Sequence, residues 1–317
     1  MTWFLPEPML TVAVDNPVLH AGWAAEPQWD GYRAQLAVYA GGRVLLRSRR
    51  GTDMTAAFPE IKAAALTQLP ADTGLDGELV VWEEDRLACE RPQQRLARRD
   101  PLAAAEAARQ WPAHYVAFDL VHAAGTDLTG WPYQRRRAAL EALFTDHQLS
   151  APLTLCPSTT DPAEAAQRLG WTAAGLEGLC FKRLTGPYRP VRSWQKYKVR
   201  VTTEAIIGAI TGPTDAPRTV LLGRYDNAGR LQYTGRTTTL SPRRGAHPWE
   251  GWTFSAGWGA QRTFEVVLVE PEVVLEVAVD VAGDGAGRFR QAARAHRVGI
   301  DVDPAQVALF GEGPGPP

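Results

Sequence analysis

The amino-acid sequence predicts an α+β domain followed by a small all-β barrel, and three observations carry that prediction. Strand-like and helix-like apolar patterns intermingle over residues 1–200 without a regular strand–helix alternation, which argues against a doubly wound parallel sheet. After Arg200 the apolar segments become short, β-branched and separated by turn residues, as in an antiparallel β-domain. A chain of 317 residues is long enough for two cores. The expected division is 1–200 and 201–310, with the Gly- and Pro-rich 311–317 as a disordered tail.

Taken in order, apolar runs predict strands over 35–39, 43–47, 79–82, 115–121 and 179–182. Phe58, Ile61, Ala65 and Leu69 share one face of a helix over 58–69. A second helix over 133–147 buries Leu140, Leu143 and Phe144. Asp161-Pro162 reads as N-cap and first turn of a third helix over 163–173. Beyond Arg200, strands are expected over 205–210, 219–225, 231–233, 263–268 and 273–279. Asp226-Asn227-Ala228-Gly229 is a hairpin turn between two of them. Five short strands in about 100 residues fit a barrel such as an OB-fold. Gly283-Asp284-Gly285-Ala286-Gly287 lacks the strand-to-helix context of a phosphate loop and reads as a plain turn.

Composition narrows the function classes. Hydrophobic residues make up 45% and charged residues 22%, ordinary for a globular protein. No apolar run approaches the ~18 residues a membrane span needs, and the N-terminus lacks the features of a secretory signal, so a cytoplasmic location is expected. Cys89, Cys156 and Cys180 have no paired spacing, which argues against a disulfide framework or a zinc site. The net charge is -1, but the basic residues are unevenly used: 30 are arginines, and the lysines are Lys62, Lys182, Lys196 and Lys198. Three of the four lysines fall between 182 and 198. A compact ammonium on a flexible stem reaches a single phosphate oxygen where a planar guanidinium needs a wider slot.

Six short strings follow one another along the first domain: Glu26-Pro27-Gln28-Trp29-Asp30-Gly31-Tyr32-Arg33, Ser48-Arg49-Arg50-Gly51, Asp76-Gly77-Glu78, Ala117-Phe118-Asp119-Leu120, Glu177-Gly178-Leu179-Cys180-Phe181-Lys182 and Lys196-Tyr197-Lys198. Any one of them arises by chance; six in this order ahead of a small β-domain do not. Lys196 and Lys198 alternate with Tyr197 on an extended segment, so both face one side.

The set resembles the covalent nucleotidyltransferase superfamily of ATP-dependent DNA ligases, RNA ligases and mRNA capping enzymes, and within it the short ATP-dependent DNA ligases of actinomycete bacteria. The resemblance covers about residues 5–310 and is looser over the last 60. It implies a nucleotidyltransferase (adenylation) domain of packed antiparallel sheets and helices, followed by an OB-fold. It also implies three phosphoryl transfers: from ATP to a lysine, from the lysine to the 5′-phosphate at a nick, and displacement of AMP by the 3′-hydroxyl. Such steps depend on alignment and charge neutralisation. By the same resemblance Glu26, Asp30, Arg33, Arg49, Glu78, Phe118 and Lys182 bind the nucleotide, ATP or AMP. Phe118 would stack on adenine. Glu78 and Glu177 would hold Mg2+ or Mn2+, and Lys196 and Lys198 would reach the α-phosphate.

Nicked double-stranded DNA is the expected partner, held from both domains. Arg49, Arg50, Arg243 and Arg244 are the candidate phosphate contacts, with Arg47 and the arginines from Arg91 to Arg99 as further ones. Thr202 and its neighbours are expected to form an interdomain hinge. A monomer is expected, and DNA-repair proteins are partners by analogy only.

One position breaks the pattern. The family's nucleophilic lysine stands two residues before Asp30, where this chain has Gln28. An amide nitrogen has its lone pair delocalised into the carbonyl and does not attack phosphorus as an amine does. The arginine-bearing stretch Phe289–Arg297 has also lost neighbours that the family carries, and residues 241–252 are shorter than in its relatives. Both departures bear on self-adenylation. The expected function is therefore a DNA ligase scaffold impaired in that step, or a non-catalytic protein holding nucleotide and DNA.

Overall fold

The computed structural model describes residues 3–83, 86–88, 90–98, 100–213, 216–239, 252–255, 263–280, 287–289, 291–299 and 302–312. The chain divides into two units, Met1–Lys198 and Val199–Pro317. Among the described residues no helix is long and apolar enough to cross a membrane.

The first unit runs β1 (Leu10–Ala13), β2 (Trp23–Trp29), β3 (Tyr32–Val38), β4 (Val44–Ser48), α1 (Pro59–Gln68), β5 (Thr73–Glu83), β6 (Arg86–Leu87), α2 (Glu90–Leu96), α3 (Pro101–Gln110), β7 (Ala113–Ala123), β8 (Thr126–Asp127), α4 (Tyr133–Asp146), β9 (Leu153–Leu155), α5 (Pro162–Arg168), β10 (Leu176–Arg183) and β11 (Arg192–Lys198). Two sheets result. One has the order β4-β3-β5-β7-β8, with β6 on β5 and β9 beside β7; the other has the order β1-β11-β10-β2. Pairing is antiparallel except for β1 with β11 and β7 with β9.

The larger sheet is covered on both faces, which is why its strands read as near-continuous apolar runs. Ala34, Leu36, Leu75, Leu79 and Tyr115 pack with Phe58 and Ile61, at and in α1, and Leu140 of α4. The opposite face carries Ala37, Tyr39 and Val121, which pack with Tyr188, Trp194, Leu5 and Met9. Arg33, Asp76 and Glu78 share the strand parity of that second face. Polar side chains thus lie in the space between the two sheets.

Helix termini follow the local chemistry. Asp100 caps α3 by accepting from the backbone N–H groups of Leu102 and Ala103, and Asp161 caps α5 through Ala163. The expected single helix over 163–173 is broken: α5 ends at Arg168, and a 3-10 turn, Trp171–Ala174, follows Gly170. Glycine is a poor helix interior residue, and the chain uses it here to change course.

The second unit contains β12 (Arg200–Thr211), β13 (Thr219–Tyr225), β14 (Leu231–Arg236), β15 (Trp252–Ser255), β16 (Thr263–Leu268), β17 (Val274–Asp280) and β18 (Arg294–Gly299). The long β12 pairs with β13 over its second half, with β17 over its first half, and with β16 near its end. β14 follows β13, and β18 follows β17. A parallel bridge between Thr237 and Ala293 joins the residues just outside β14 and β18. The ring β14-β13-β12-β17-β18 thereby closes around Ala205, Ile210, Val220, Leu222, Leu275, Val277 and Ala293. The Asp226 carboxylate accepts from the backbone of Ala228 and Arg230 and fixes the β13–β14 turn.

Two expectations change here. Thr202 sits within β12, paired with Ala278, and the division between the units falls earlier, at Lys198 and Val199. The strand over 263–268 pairs with β15 as a hairpin beside β12, while the ring takes β18, at the end of the arginine-bearing stretch, where no strand is expected from the sequence. Residues 241–251, 283–286, Arg290 and 313–317, and so the shortened loop, most of the Gly-rich turn and most of the expected disordered tail, lie outside the described residues.

Candidate functional site

The site begins with the register of three strands. Glu26 of β2, Cys180 of β10 and Lys196 of β11 lie in one row, and Gln28, Gly178 and Lys198 lie in the next. Pro27 is tolerated because β2 is an edge strand in its sheet. Gly178 has no substitute: a Cβ there would lie 1.9 Å from the Tyr197 carbonyl oxygen. The β2–β10 register shifts between Leu176 and Gly178, an extra residue of the kind that re-aims a side chain. That residue is Glu177.

Its carboxylate is the centre of a small cluster. Gln28 Nε2 donates to Glu177 Oε2 at 2.9 Å, and Lys198 Nζ lies 3.1 Å from the same oxygen. The Gln28 amide is therefore turned with its nitrogen toward Glu177. Gln28 Oε1 is buried and has no hydrogen-bond partner among the described residues, a state that costs about 1–3 kcal/mol.

Two residues back along β2 the circumstances reverse. Glu26 is buried, with Lys182 Nζ 2.6 Å from its Oε2 and Arg137 3.7 Å from its Oε1. The Tyr133 hydroxyl donates to the same carboxylate. Lys182 also donates to the Phe118 carbonyl at 2.8 Å and lies over the Trp194 ring. Its charge is spent inside the protein.

The facing wall comes from the larger sheet. Arg33 holds Asp76 with two hydrogen bonds, 3.2 and 2.6 Å, and donates to the Met9 carbonyl at 2.6 Å. Burial opposes the charge on Arg33, but Asp76 outweighs it and the pKa rises. Glu78 has the opposite problem: burial pushes its carboxyl well above the ordinary range, Arg33 pulls it down, and Glu177 and Asp76 push it further up. Gly31 lets the β2–β3 turn close over this wall, since a Cβ there would meet the Leu79 carbonyl oxygen at 2.4 Å. Phe118 and Trp194 meet edge to face, 5.9 Å between centroids.

Between the walls is a cavity of about 200 Å³ lined by Thr11, Glu26, Pro27, Gln28, Trp29, Arg33, Arg49, Glu78, Phe118, Cys180, Lys182, Trp194 and Lys196. It pairs aromatic rings with cations and acids, an arrangement suited to a planar base carrying phosphate. Burial pushes the Cys180 thiol up to about 12, so it offers no thiolate nucleophile. Among the described residues no three His, Cys, Asp or Glu side chains gather into a metal cage. The two mutually repelling carboxylates, Glu78 and Glu177, nevertheless fit Mg2+ or Mn2+, which take one or two carboxylates from the protein and complete their shell with other oxygen ligands.

The structure thus gathers Glu26, Gln28, Arg33, Arg49, Glu78, Phe118, Lys182 and Lys196 around one cavity, with Glu177 and Lys198 adjoining through Gln28. Asp30 does not line it; it is buried at the turn, where its N–H donates to the Gly175 carbonyl. Arg49 and Arg50 are exposed. Three proposed DNA contacts have internal duties instead. Arg47 donates to Leu5 O, Pro6 O and Gln35. Arg95 is fully buried against Glu60, Ala57 O and Trp111 O, and Arg91 pairs with Glu83. Arg99, Arg243 and Arg244 lie outside the described residues. Sequence reasoning missed Trp194, although it precedes Lys196 and Lys198 at the same two-residue spacing and so shares their face. Thr11, from the parallel strand β1, gave no warning.

The model of the ATP-dependent DNA ligase domain matches residues 8–198. The chain is 34% identical to DNA ligase C2 of Mycolicibacterium smegmatis, over 98% of this chain and 94% of that protein. It is 32% identical to DNA ligase C of Mycobacterium tuberculosis, over 88% of this chain and 86% of that protein. A solved structure of mycobacterial DNA ligase D complexed with ATP and MES superposes with a TM-score of 0.53 at 28% identity, covering 96% of this chain and 98% of that one.

Proposed function

The chain belongs to the ATP-dependent DNA ligase family, and from that premise we propose that it is a nick-sealing scaffold whose own adenylation is blocked at position 28. The observation that carries this reading is the cavity itself, where residues far apart in sequence converge around a glutamine. In this reading the second unit is an OB-fold, supported by its closed five-strand ring, and the first unit holds an adenosine phosphate.

Adenine lies against Phe118 and Trp194, and Arg33 is fixed by Asp76 so that its remaining edge meets the ribose. Lys196 and Lys198 neutralise the phosphate that takes part in transfer. Lys182 has a different role: locked to Glu26, it props the wall that carries Phe118. Glu78 and Glu177 are the carboxylates that would hold Mg2+ or Mn2+, which supplies charge neutralisation at the phosphate. Arg49 and Arg50, exposed beside the cavity, contact the DNA backbone in a sequence-independent, salt-sensitive way.

Gln28 separates the steps. Formation of a lysyl adenylate needs an amine at that post, whereas attack of a nick's 3′-hydroxyl on DNA that already carries AMP needs only cations and alignment. With α-labelled ATP the chain is expected to give no labelled band that survives denaturation, and Gln28→Lys is expected to give one. A nick prepared with 5′-AMP is expected to be sealed by the unaltered chain. The second reading, a binding protein without catalysis, is favoured by the same glutamine and predicts binding of that nick without sealing.

A further inference from the structure

We infer that Tyr188, which lies behind the cavity rather than in its lining, is the positioning residue for Arg33 and sets how far the pocket prefers ribose to a deoxy sugar. The inference rests on the reading above that the remaining edge of Arg33 meets the ribose. Its own support is a run of hydrogen bonds that begins at the cavity and ends behind it.

The Arg33 guanidinium itself is at the cavity. Its centre lies 5.6 Å from the centroid of the Phe118 ring and 5.4 Å from that of Trp194, and all three residues line the cavity. Asp76 and the Met9 carbonyl take three of its five N–H groups. One N–H on each terminal nitrogen is left for a hydroxyl oxygen. Hydrogen bonds tolerate only a narrow range of distance and angle, so these donors recognise the sugar hydroxyls only while Asp76 keeps the guanidinium in one place.

Asp76 is kept in place from behind. The Tyr188 hydroxyl donates to its Oδ2 at 2.6 Å, the oxygen that Arg33 Nη2 also uses. Tyr188 in turn accepts from Gln35 Nε2 at 3.1 Å, and Gln35 Oε1 accepts from Arg47 at 2.7 Å. Arg47 can only donate, so the Gln35 amide has one orientation, its nitrogen meets the phenol oxygen, and the phenol proton is directed to Asp76. Burial and the Asp76 charge push the Tyr188 phenol well above its ordinary range, so it stays a donor. Packing fixes the ring: Tyr188 is buried and meets Trp194 edge to face, 6.0 Å between centroids. Arg47 also holds the Leu5 and Pro6 carbonyls and Arg33 holds that of Met9, so the segment Leu5–Met9 closes the run at both ends.

The test measures equilibrium binding of ATP, 2′-deoxy-ATP and 3′-deoxy-ATP to the full chain by calorimetry. ATP binding tests the parent reading. The unaltered chain is expected to bind ATP at least about fivefold more tightly than the weaker-bound deoxy analogue. Tyr188→Phe, which removes one oxygen and keeps the ring, is expected to lower that ratio at least about threefold, chiefly by weakening ATP. Gln35→Met is expected to shift it the same way by less. A role in stability alone would weaken all three nucleotides by one factor and leave the ratio unchanged, and that result overturns the inference. An unaltered chain that binds ATP no better than either analogue also overturns it and leaves the parent reading standing. No ATP binding at all overturns both. Should Tyr188→Phe lose the cooperative thermal transition of the parent, the ratio in Gln35→Met decides alone; loss of folding in both variants overturns the inference by making these bonds a stability element.

Discussion

Glu26 and Gln28 are two residues apart on one edge strand and face the same cavity, yet one is closed and the other open. Glu26 receives Lys182, Tyr133 and Arg137, so every charge there is answered within the protein. Gln28 is answered on one side only. The difference is one of pairing: the closed cluster fixes the shape of the pocket, and the other holds an amide whose nitrogen Glu177 orients while its buried carbonyl is left unanswered among the described residues.

The largest way to break that contrast is Lys182→Met. It strips the main partner from a buried carboxylate, and breaking a buried pair costs roughly 3–5 kcal/mol. Arg137 remains 3.7 Å from Glu26, so the low end of that range is expected in urea denaturation; a loss under about 1 kcal/mol would show that Arg137 suffices alone. Glu78→Gln sharpens the contrast from the open side. Because the Glu78 carboxyl is raised by burial and by Glu177 and Asp76, the folded state keeps its proton where the unfolded state has lost it. Its contribution to stability is then present below the ordinary carboxylate pKa of about 4.3 and is lost as pH rises toward the folded value. The variant should be more thermostable than the parent at neutral pH and should lose that advantage in acid; an advantage independent of pH would refute the assignment. The smallest effect is expected from Gln28→Met, which deletes the unsatisfied carbonyl along with one hydrogen bond. Its stability should lie within about 1 kcal/mol of the parent, as read by thermal denaturation.

Much of the architecture was legible because local pattern and tertiary fate agreed. The strand over 115–121 lies within β7, and those over 219–225 and 263–268 have the observed limits of β13 and β16. What escaped notice is informative. β2 was invisible because Glu26, Pro27 and Gln28 look like a loop, although an edge strand facing a polar cavity tolerates all three. β1 and β18 carry too few buried residues to announce themselves. Within the site, motif residues were found by their company, while Trp194 reads locally as one more apolar residue. Arg47 and Arg95 misled in the opposite direction: their charge suggested a surface, but backbone carbonyls of the protein itself take up their donors.

The register shift at Glu177 makes the layout of the pocket a matter of frame. Along β10 the even-numbered Cys180 and Lys182 look into the cavity, and the odd-numbered Leu179 and Phe181 look away. Glu177 would look away too, were the ladder regular. One supernumerary residue changes its parity and delivers an acid to Gln28 and Lys198. Deleting one residue from this stretch would therefore do harm that no substitution imitates, by returning the strand to perfect alternation.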